Sequence, residues 1–358
     1  MRLGVLLEQC LAPVPGGTGR YSRELAAALA RTADGACVQG VVQGVVAWHR
    51  ETGPAVVTGV RGPRRLPLGR RALTAAWERG TGPGVRADVV LAPTPLAPPR
   101  RGTPLVVVVH DAVPFTHPGT LTPRGVRWHR RMIERAARTA DLVVVPTHAV
   151  ATELQRHVTL PRLLVVGEGV SADLDLPPDA DDRAAALDLP ARYLLTVATL
   201  EPRKGLAELV RALPAATDLP LLCVGQAGWG EVDLGPATGR VRALGRVCDA
   251  DLAVLLRRAE ALVVPSRAEG FGLPLLEAMS VGTPVLTSDA PALVEVAGGA
   301  ALAVPLAELA DGLTAVLGDA ALRARLRRDG PLRAAEFTWD GAARALWSAV
   351  CETVGPLR

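Results

Sequence analysis

Two adjacent cations, Arg203 and Lys204, stand in the stretch TLEPRKG, directly after an apolar run. Lys204 is the only lysine of the chain, in which arginine fills every other basic role. An ammonium is a compact point charge that arginine's planar fork does not imitate, so a phosphate ligand gives the exception a local chemical reason. Residues 265–289, PSRAEGFGLPLLEAMSVGTPVLTSD, carry Glu269 and Glu277 eight positions apart, with Gly270 and Gly272 between them. Pro274 follows, where a helix can begin without needing the missing N–H. The first amides of a helix have no partner inside it, and glycine permits a close backbone approach, so this turn suits an anion. Two carboxylates beside an anion site point to bound hydroxyl groups as well. Arg203 and Lys204, facing a helix start such as Gly272 to Leu275, would clamp a diphosphate from both sides. Each charge-assisted hydrogen bond would contribute about 1.5 to 3 kcal/mol.

A further pair, His110 and Asp111, lies in LVVVVHDAVPFTHP, immediately after a buried apolar strand, the place where open parallel sheets bind ligands. A histidine can donate to a hydroxyl or stabilise developing charge, and Asp111 can orient it or an incoming nucleophile. The competing structural reading makes Asp111 a turn cap and His110 a partner for a backbone group. For His117 the structural reading is preferred.

Elements must hold these residues in place. In the first half, apolar runs at 3–7, 41–48, 88–91, 105–109, 142–145 and 163–166 alternate with helical patterns. Strands apolar on both faces, separated by helices, indicate a parallel sheet covered on each side. Residues 81–104, rich in Pro and Gly, read as loops. PVPGGTGR (13–20) reads as a glycine-rich loop before the helical pattern YSRELAAALA, the start of a Rossmann-like unit. GGTG is not the spaced GxGxxG of dinucleotide binders; Gly16, Gly17 and Gly19 either let the loop pass over a ligand or make only a turn. Residues 171–190, acidic and proline-rich, read as a linker. Six further strands follow at 193–197, 221–224, 241–244, 261–264, 285–287 and 301–304. The tail from Phe337 reads as an amphipathic helix that packs through Leu346, Trp347 and Val350.

A length of 358 residues suits two domains, and 49% hydrophobic residues can fill both cores. Aromatics at 3% disfavour base stacking, and a net charge of +4 is too mild to imply nucleic acid, so no nucleic-acid partner is expected. The cysteines at 10, 37, 223, 248 and 351 are odd in number and form no CxxC, which points to free thiols in a reducing cytosol. Cys37 and Cys223 read as small core residues. The first ten residues read as a strand, not a signal peptide, and no apolar run approaches the roughly 20 residues of a membrane span. Residues 122–140, TPRGVRWHRRMIERAARTA, read as an amphipathic helix. Trp128, Met132, Ile133, Ala136 and Ala140 suit one face, and Arg127, Arg130, Arg131, Arg135 and Arg138 fall largely on the other. With the basic stretch at 61–71, that stripe is either a solvated face or a peripheral contact with an anionic membrane. Cytoplasmic placement, peripheral at the inner membrane face, is the corresponding expectation.

In order along the chain, GGTGRY, HDAVPFTHP, TLEPRKG, VGQAGWG, GRVCDADLAVLLRRAEALVVPS and EGFGLPLLEAMSVGTPV together resemble the family-four retaining glycosyltransferases of GT-B fold. The resemblance implies an α/β protein of two Rossmann-like domains with parallel sheets facing a central cleft. The divisions implied are an acceptor-side domain at 1–170, the linker at 171–190, a nucleotide-sugar-binding domain at 191–340, and a C-terminal helix at 341–358 crossing back. By resemblance, Arg203 and Lys204 bind the donor diphosphate, Glu277 the ribose hydroxyls and Glu269 the transferred sugar. The amides of Phe271, Gly272 and Leu273 approach sugar and phosphate. Val247 meets the nucleobase, Gly17 the phosphates, and His110 the sugar's reacting face. Two positions depart from the pattern: Gly205 and Glu168 stand where asparagine is common.

The reaction so implied moves a hexose, with mannose favoured, from a GDP- or UDP-sugar to a hydroxyl of a glycan, lipid or small metabolite, with retention. No cofactor is expected. No metal is expected either, since the cations and the helix start neutralise the leaving diphosphate, and the DxD of Asp173 and Asp175 falls in the linker. No carboxylate nucleophile stands out, so a front-face route is expected, the leaving phosphate taking the acceptor's proton. Two alternatives are a nucleotide-sugar epimerase, which would want a GxGxxG loop and an acid ending the second strand, and a non-catalytic nucleotide-sugar-binding subunit.

Overall fold

The computed structural model describes residues 1–35, 40–160, 162–171, 174–226, 228 and 239–354. The chain divides into two compact units, Met1–Gly169 with Thr338–Arg358, and Val170–Phe337. The first runs β1 (Arg2–Leu6), α1 (Gly16–Arg31), β2 (Val41–Trp48), β3 (Arg61–Gly69), α2 (Arg70–Glu78), β4 (Val89–Ala92), β5 (Leu105–Val108), α3 (Val113–Thr116), α4 (Pro123–Thr139), β6 (Leu142–Val145), α5 (His148–Gln155) and β7 (Leu163–Val165). The second runs α6 (Ala180–Ala186), β8 (Leu194–Val197), α7 (Leu206–Ala216), β9 (Leu221–Val224), β10 (Val241–Gly245), α8 (Asp249–Arg258), β11 (Ala261–Val264), α9 (Leu273–Ser280), β12 (Val285–Ser288), α10 (Pro291–Ala297), β13 (Leu302–Val304), α11 (Leu309–Gly318) and α12 (Ala320–Ala334). The last helix, α13 (Trp339–Val354), belongs to the first unit.

Each unit is a doubly wound parallel sheet. The first orders its strands β3-β2-β1-β4-β5-β6-β7 and the second β10-β9-β8-β11-β12-β13, and every described pairing is parallel. Alternating side chains fill opposite layers. In the second unit Leu195, Leu222 and Leu262 pack with α8, α9 and α10, while their neighbours Leu194, Leu221 and Val263 pack with α7 and α11. Strands buried on both faces explain the continuous apolar runs. In the first unit α13 lies on α1, with Leu346, Trp347 and Val350 buried and the Trp347 indole donating to the Leu29 carbonyl at 3.0 Å.

The structure corrects several expectations. Residues 61–69, read from the sequence only as a basic stretch, form an edge strand, β3; Pro63 and Pro67 are tolerated because an edge strand need not donate on both sides. Gly16, Gly17 and Gly19 form the first turn of α1 rather than a loop. Within the expected linker, α6 packs Ala180 and Ala184 against Val254 of α8, so that stretch is part of the second unit. The arginine stripe of α4 is not uniform. Arg130 donates to the Pro114 carbonyl at 2.8 Å and lies over the Phe115 ring. Arg135 has one guanidinium nitrogen, Nη1, buried without a hydrogen-bond partner among the described residues; burial above all, with Arg131 and Arg138 nearby, lowers its pKa. Arg124, Arg127, Arg131 and Arg138 remain exposed.

Cys10 and Cys223 are buried thiols and Cys248 an exposed one, but Cys351 is disulfide-bonded, contrary to the all-thiol expectation. Cys37, Asp173 and Ala227, Trp229 and Gly230 of VGQAGWG lie outside the described residues. Among the described residues, no helix is long and apolar enough to cross a membrane.

Candidate active site

Strand order reverses between β8 and β11, which lie side by side at the centre of the second sheet. Loops leaving a parallel sheet on either side of such a point diverge and open a crevice at the carboxyl ends. Both loops here carry the charged residues. After β8 the chain makes a 3-10 turn, Pro202–Lys204, and enters α7 through Gly205. After β11 comes the segment that leads into α9. Backbone and side chains knit the two together: the Arg267 amide donates to the Arg203 carbonyl at 2.8 Å, and Arg203 Nη1 to the Ala268 carbonyl at 2.9 Å.

Around that seam lies an ion cluster. Lys204 Nζ donates to Glu269 Oε1 at 2.6 Å, Arg203 Nη1 to Glu269 Oε2 at 3.1 Å, and Arg203 Nη2 to Glu201 Oε1 at 2.7 Å. Ser266 Oγ donates to Glu269 Oε1 at 2.7 Å. Burial pushes the Glu269 carboxyl up, but Lys204 and Arg203, with the hydrogen bonds from Lys204 and Ser266, outweigh it and hold its pKa down at about 2. Glu269 is therefore a fixed anion. The cations and carboxylates balance, so the cluster as it stands is formally neutral, and an arriving anion would meet cations already held in place.

The turn into α9 presents the other half. Gly272 caps the helix at φ 101°, and a Cβ there would come within 2.5 Å of the Leu293 side chain, so both backbone and packing require glycine. No side chain caps that helix start. Phe271 is buried with its ring edge-on to Phe337, and Leu273 is packed against the core, so these two residues offer a ligand their amides rather than their side chains. Glu277 is buried within α9. The sequence-predicted Glu269, Phe271, Gly272, Leu273 and Glu277 are thus on one loop and helix, joined by contact to Arg203 and Lys204. Val247 follows the edge strand β10, two strands from β8, partly buried against the core.

In the first unit, His110 and Asp111 follow β5. His110 Nε2 donates to the Pro93 carbonyl at 2.8 Å, and its ring lies edge-on to Tyr21 of α1 at 4.6 Å. The Val113 amide donates to Asp111 Oδ1 at 3.0 Å. Both residues thus hold the local roles of the structural reading, while the His110 side chain stays 19% exposed. Gly16 has φ 59°, and neither it nor Gly17 would bring a Cβ within 4 Å of another group, so the space above the start of α1 is open. Gly19 instead packs on Pro15, where a Cβ would come within 2.4 Å.

Two family models match the chain. One described as Glycosyltransferase Family 4 covers residues 15–174, and one described as Glycosyl transferases group 1 covers 191–319. The O-antigen chain mannosyltransferase B of Escherichia coli is 32% identical over 266 residues, 68% of this chain and 68% of that protein. The chain belongs to glycosyltransferase family 4. This family-four protein is also 31% identical over 315 residues to the MMP alpha-(1->4)-mannosyltransferase of Mycolicibacterium hassiacum, covering 78% of this chain and 73% of the other. In fold it matches sucrose-phosphate synthase from Thermosynechococcus elongatus, with a TM-score of 0.74 at 21% identity over 98% of each chain. The two parallel-sheet units are those of the GT-B fold.

Several residues of this glycosyltransferase escaped sequence reasoning. Glu201 and Ser266 lie within the stretches TLEPRKG and 265–289 but were not singled out there, and only the adjacency of β8 and β11 reveals that they complete the cluster. Glu168, noted only as a departure, is buried, with Oε1 3.7 Å from His110 Nδ1.

Proposed function

We propose that this glycosyltransferase moves a hexose, mannose first, from a nucleotide-diphosphate sugar to an acceptor hydroxyl with retention of anomeric configuration. The observation that carries the reading is the Arg203–Lys204–Glu269 cluster at the strand-order reversal of the second unit. Mannose as the sugar draws on the mannosyltransferase relatives. Arg203, Lys204 and the uncapped start of α9 receive the diphosphate and neutralise the charge that grows as the sugar departs. The donors of Arg203, Lys204 and the first amides of α9 serve in place of a metal. Glu277 takes ribose hydroxyls, Glu269 a hydroxyl of the hexose, and the backbone near Val247 the base. The leaving phosphate accepts the proton of the attacking hydroxyl on the same face, so the C1–O bond to phosphate breaks as the C1–O bond to the acceptor forms. GDP is the preferred nucleotide and UDP the second. The acceptor is a glycan, a lipid-linked sugar or a small metabolite, met by the first unit. The enzyme works at the cytoplasmic face of a membrane, touching it through α4.

The test is transfer and slow hydrolysis of GDP-mannose against UDP-sugars, with and without EDTA, the product anomer read by NMR. Lys204→Ala and Glu277→Ala should each cut kcat/KM about a hundredfold or more. Full activity in either variant, or an inverted product, would overturn the reading.

A further inference from the structure

The buried carboxylate of Glu168 has no part in the mechanism above. It leaves the end of β7, is only 6% exposed, and places Oε1 3.7 Å from Nδ1 of His110. The other ring nitrogen is committed: Nε2 lies 2.8 Å from the Pro93 carbonyl, an acceptor only, and must therefore carry a proton. A neutral His110 would then turn the lone pair of Nδ1 toward a carboxylate, an unfavourable arrangement that protonation of Nδ1 converts into an ion pair. The ring cannot easily turn away, because Tyr21 stands edge-on to it and Trp339 of α13 stands edge-on to Tyr21 at 5.6 Å. The backbone at Glu168 is equally confined, since a Cβ on the next residue, Gly169, would come within 2.3 Å of the Trp339 backbone nitrogen.

We propose that Glu168 is a positioning residue that holds His110 as an imidazolium with both N–H groups engaged, so that His110 offers the site a fixed positive charge and not the base that deprotonates the acceptor. This deepens the transferase reading and rests on it. A group approaching the end of β5 meets a positive ring that can stabilise an electron-rich oxygen but has no lone pair to take a proton. Burial works against protonation of His110, but Glu168 above all, with the Pro93 carbonyl and Asp111, outweighs it and raises the pKa.

The experiment has two arms. In the free, unliganded protein, the His110 ring is titrated by NMR, its signal assigned by its loss in His110→Gln. Glu168→Gln should move that titration to lower pH, whereas Glu168→Asp should retain part of the elevation. An unmoved titration overturns the proposal without touching the transferase reading. In the second arm, kcat/KM of the wild type should fall as pH rises through the His110 pKa, this limb should move to lower pH in Glu168→Gln, and it should vanish in His110→Gln. A kcat/KM that instead rises through that pKa makes His110 a base and sinks the proposal, while absence of transfer at every pH counts against the transferase reading alone.

Discussion

Glu269 holds Lys204 and Arg203 by direct ion pairs, and its own acidity records how strongly. Its carboxyl titrates at about 2, against an ordinary 4.5, because the two cations and Ser266 more than offset burial. A carboxylate depressed in the folded state stabilises the fold at pH values above its unfolded pKa, and that contribution disappears as pH falls through the folded value. The difference is worth on the order of 3 kcal/mol at neutral pH, and most of it is lost between about pH 4.5 and 2. Glu269→Gln should therefore be clearly less stable than wild type in urea at pH 7 and much closer to it at pH 3. An equal gap at both pH values would show that the pairing is not linked to folding. At this scale the sequence was most legible where composition made a residue an exception. Lys204 stood out by being alone, and the two glutamates by their spacing. Glu201, Ser266 and Glu168 did not, because the pairing of Glu201 with Arg203, of Ser266 with Glu269 and of Glu168 with His110 depends on directions that only the packed loops define.

Elements were legible wherever burial on both faces left an apolar run, which covers the central strands of both sheets. Edge and surface elements were not. β3 is five arginines and prolines to every pair of apolar anchors, and α6 is a short acidic helix whose two buried alanines give no visible period. The loop-to-helix entry at Gly205 shows what such local patterns conceal. Its φ is 66°, and a Cβ would lie 1.8 Å from the Pro265 carbonyl oxygen, so the start of α7 is pressed against the loop after β11. Asparagine, which tolerates the left-handed region, would meet the same obstacle, which gives the departure from the common pattern a steric reason. Gly205→Ala should cost about 3 kcal/mol or more, adding the left-handed penalty to a contact that backbone must move to relieve. For a unit of this size that is a fall in Tm of roughly 6 to 12 °C, readable by calorimetry. The same variant should lower donor affinity, because the displaced turn carries Arg203 and Lys204. A Tm within a degree of wild type would mean that the two loops separate freely.

Charge is a property of the whole chain, and here it is distributed by residue type as well as by sum. The net charge is only +4, yet nearly every cation is an arginine. On α4 the fold sorts them: Arg130 and Arg135 are drawn inward, while Arg124, Arg127, Arg131 and Arg138 face outward on the same unit as the mostly exposed β3. The buried face of α4, Met132, Ile133, Ala136 and Ala137, is spent on the core, so its apolar side is not free to enter a bilayer. Attachment would therefore be electrostatic, with about 1 kcal/mol for each arginine near an anionic surface. Four such charges amount to roughly 4 kcal/mol, enough for reversible binding and well short of permanent insertion. The expected outcome is flotation with vesicles containing phosphatidylglycerol at low ionic strength, loss of flotation as the Debye length shrinks to about 3 Å near 1 M salt, and no flotation with neutral phosphatidylcholine. The triple variant Arg127→Glu, Arg131→Glu, Arg138→Glu should stay off anionic vesicles while keeping the hydrolysis of its sugar donor, since none of these residues belongs to the donor cluster. Binding that survives high salt would place the attraction in apolar contact, and no binding at low salt would leave the exposed arginines as a solvated face.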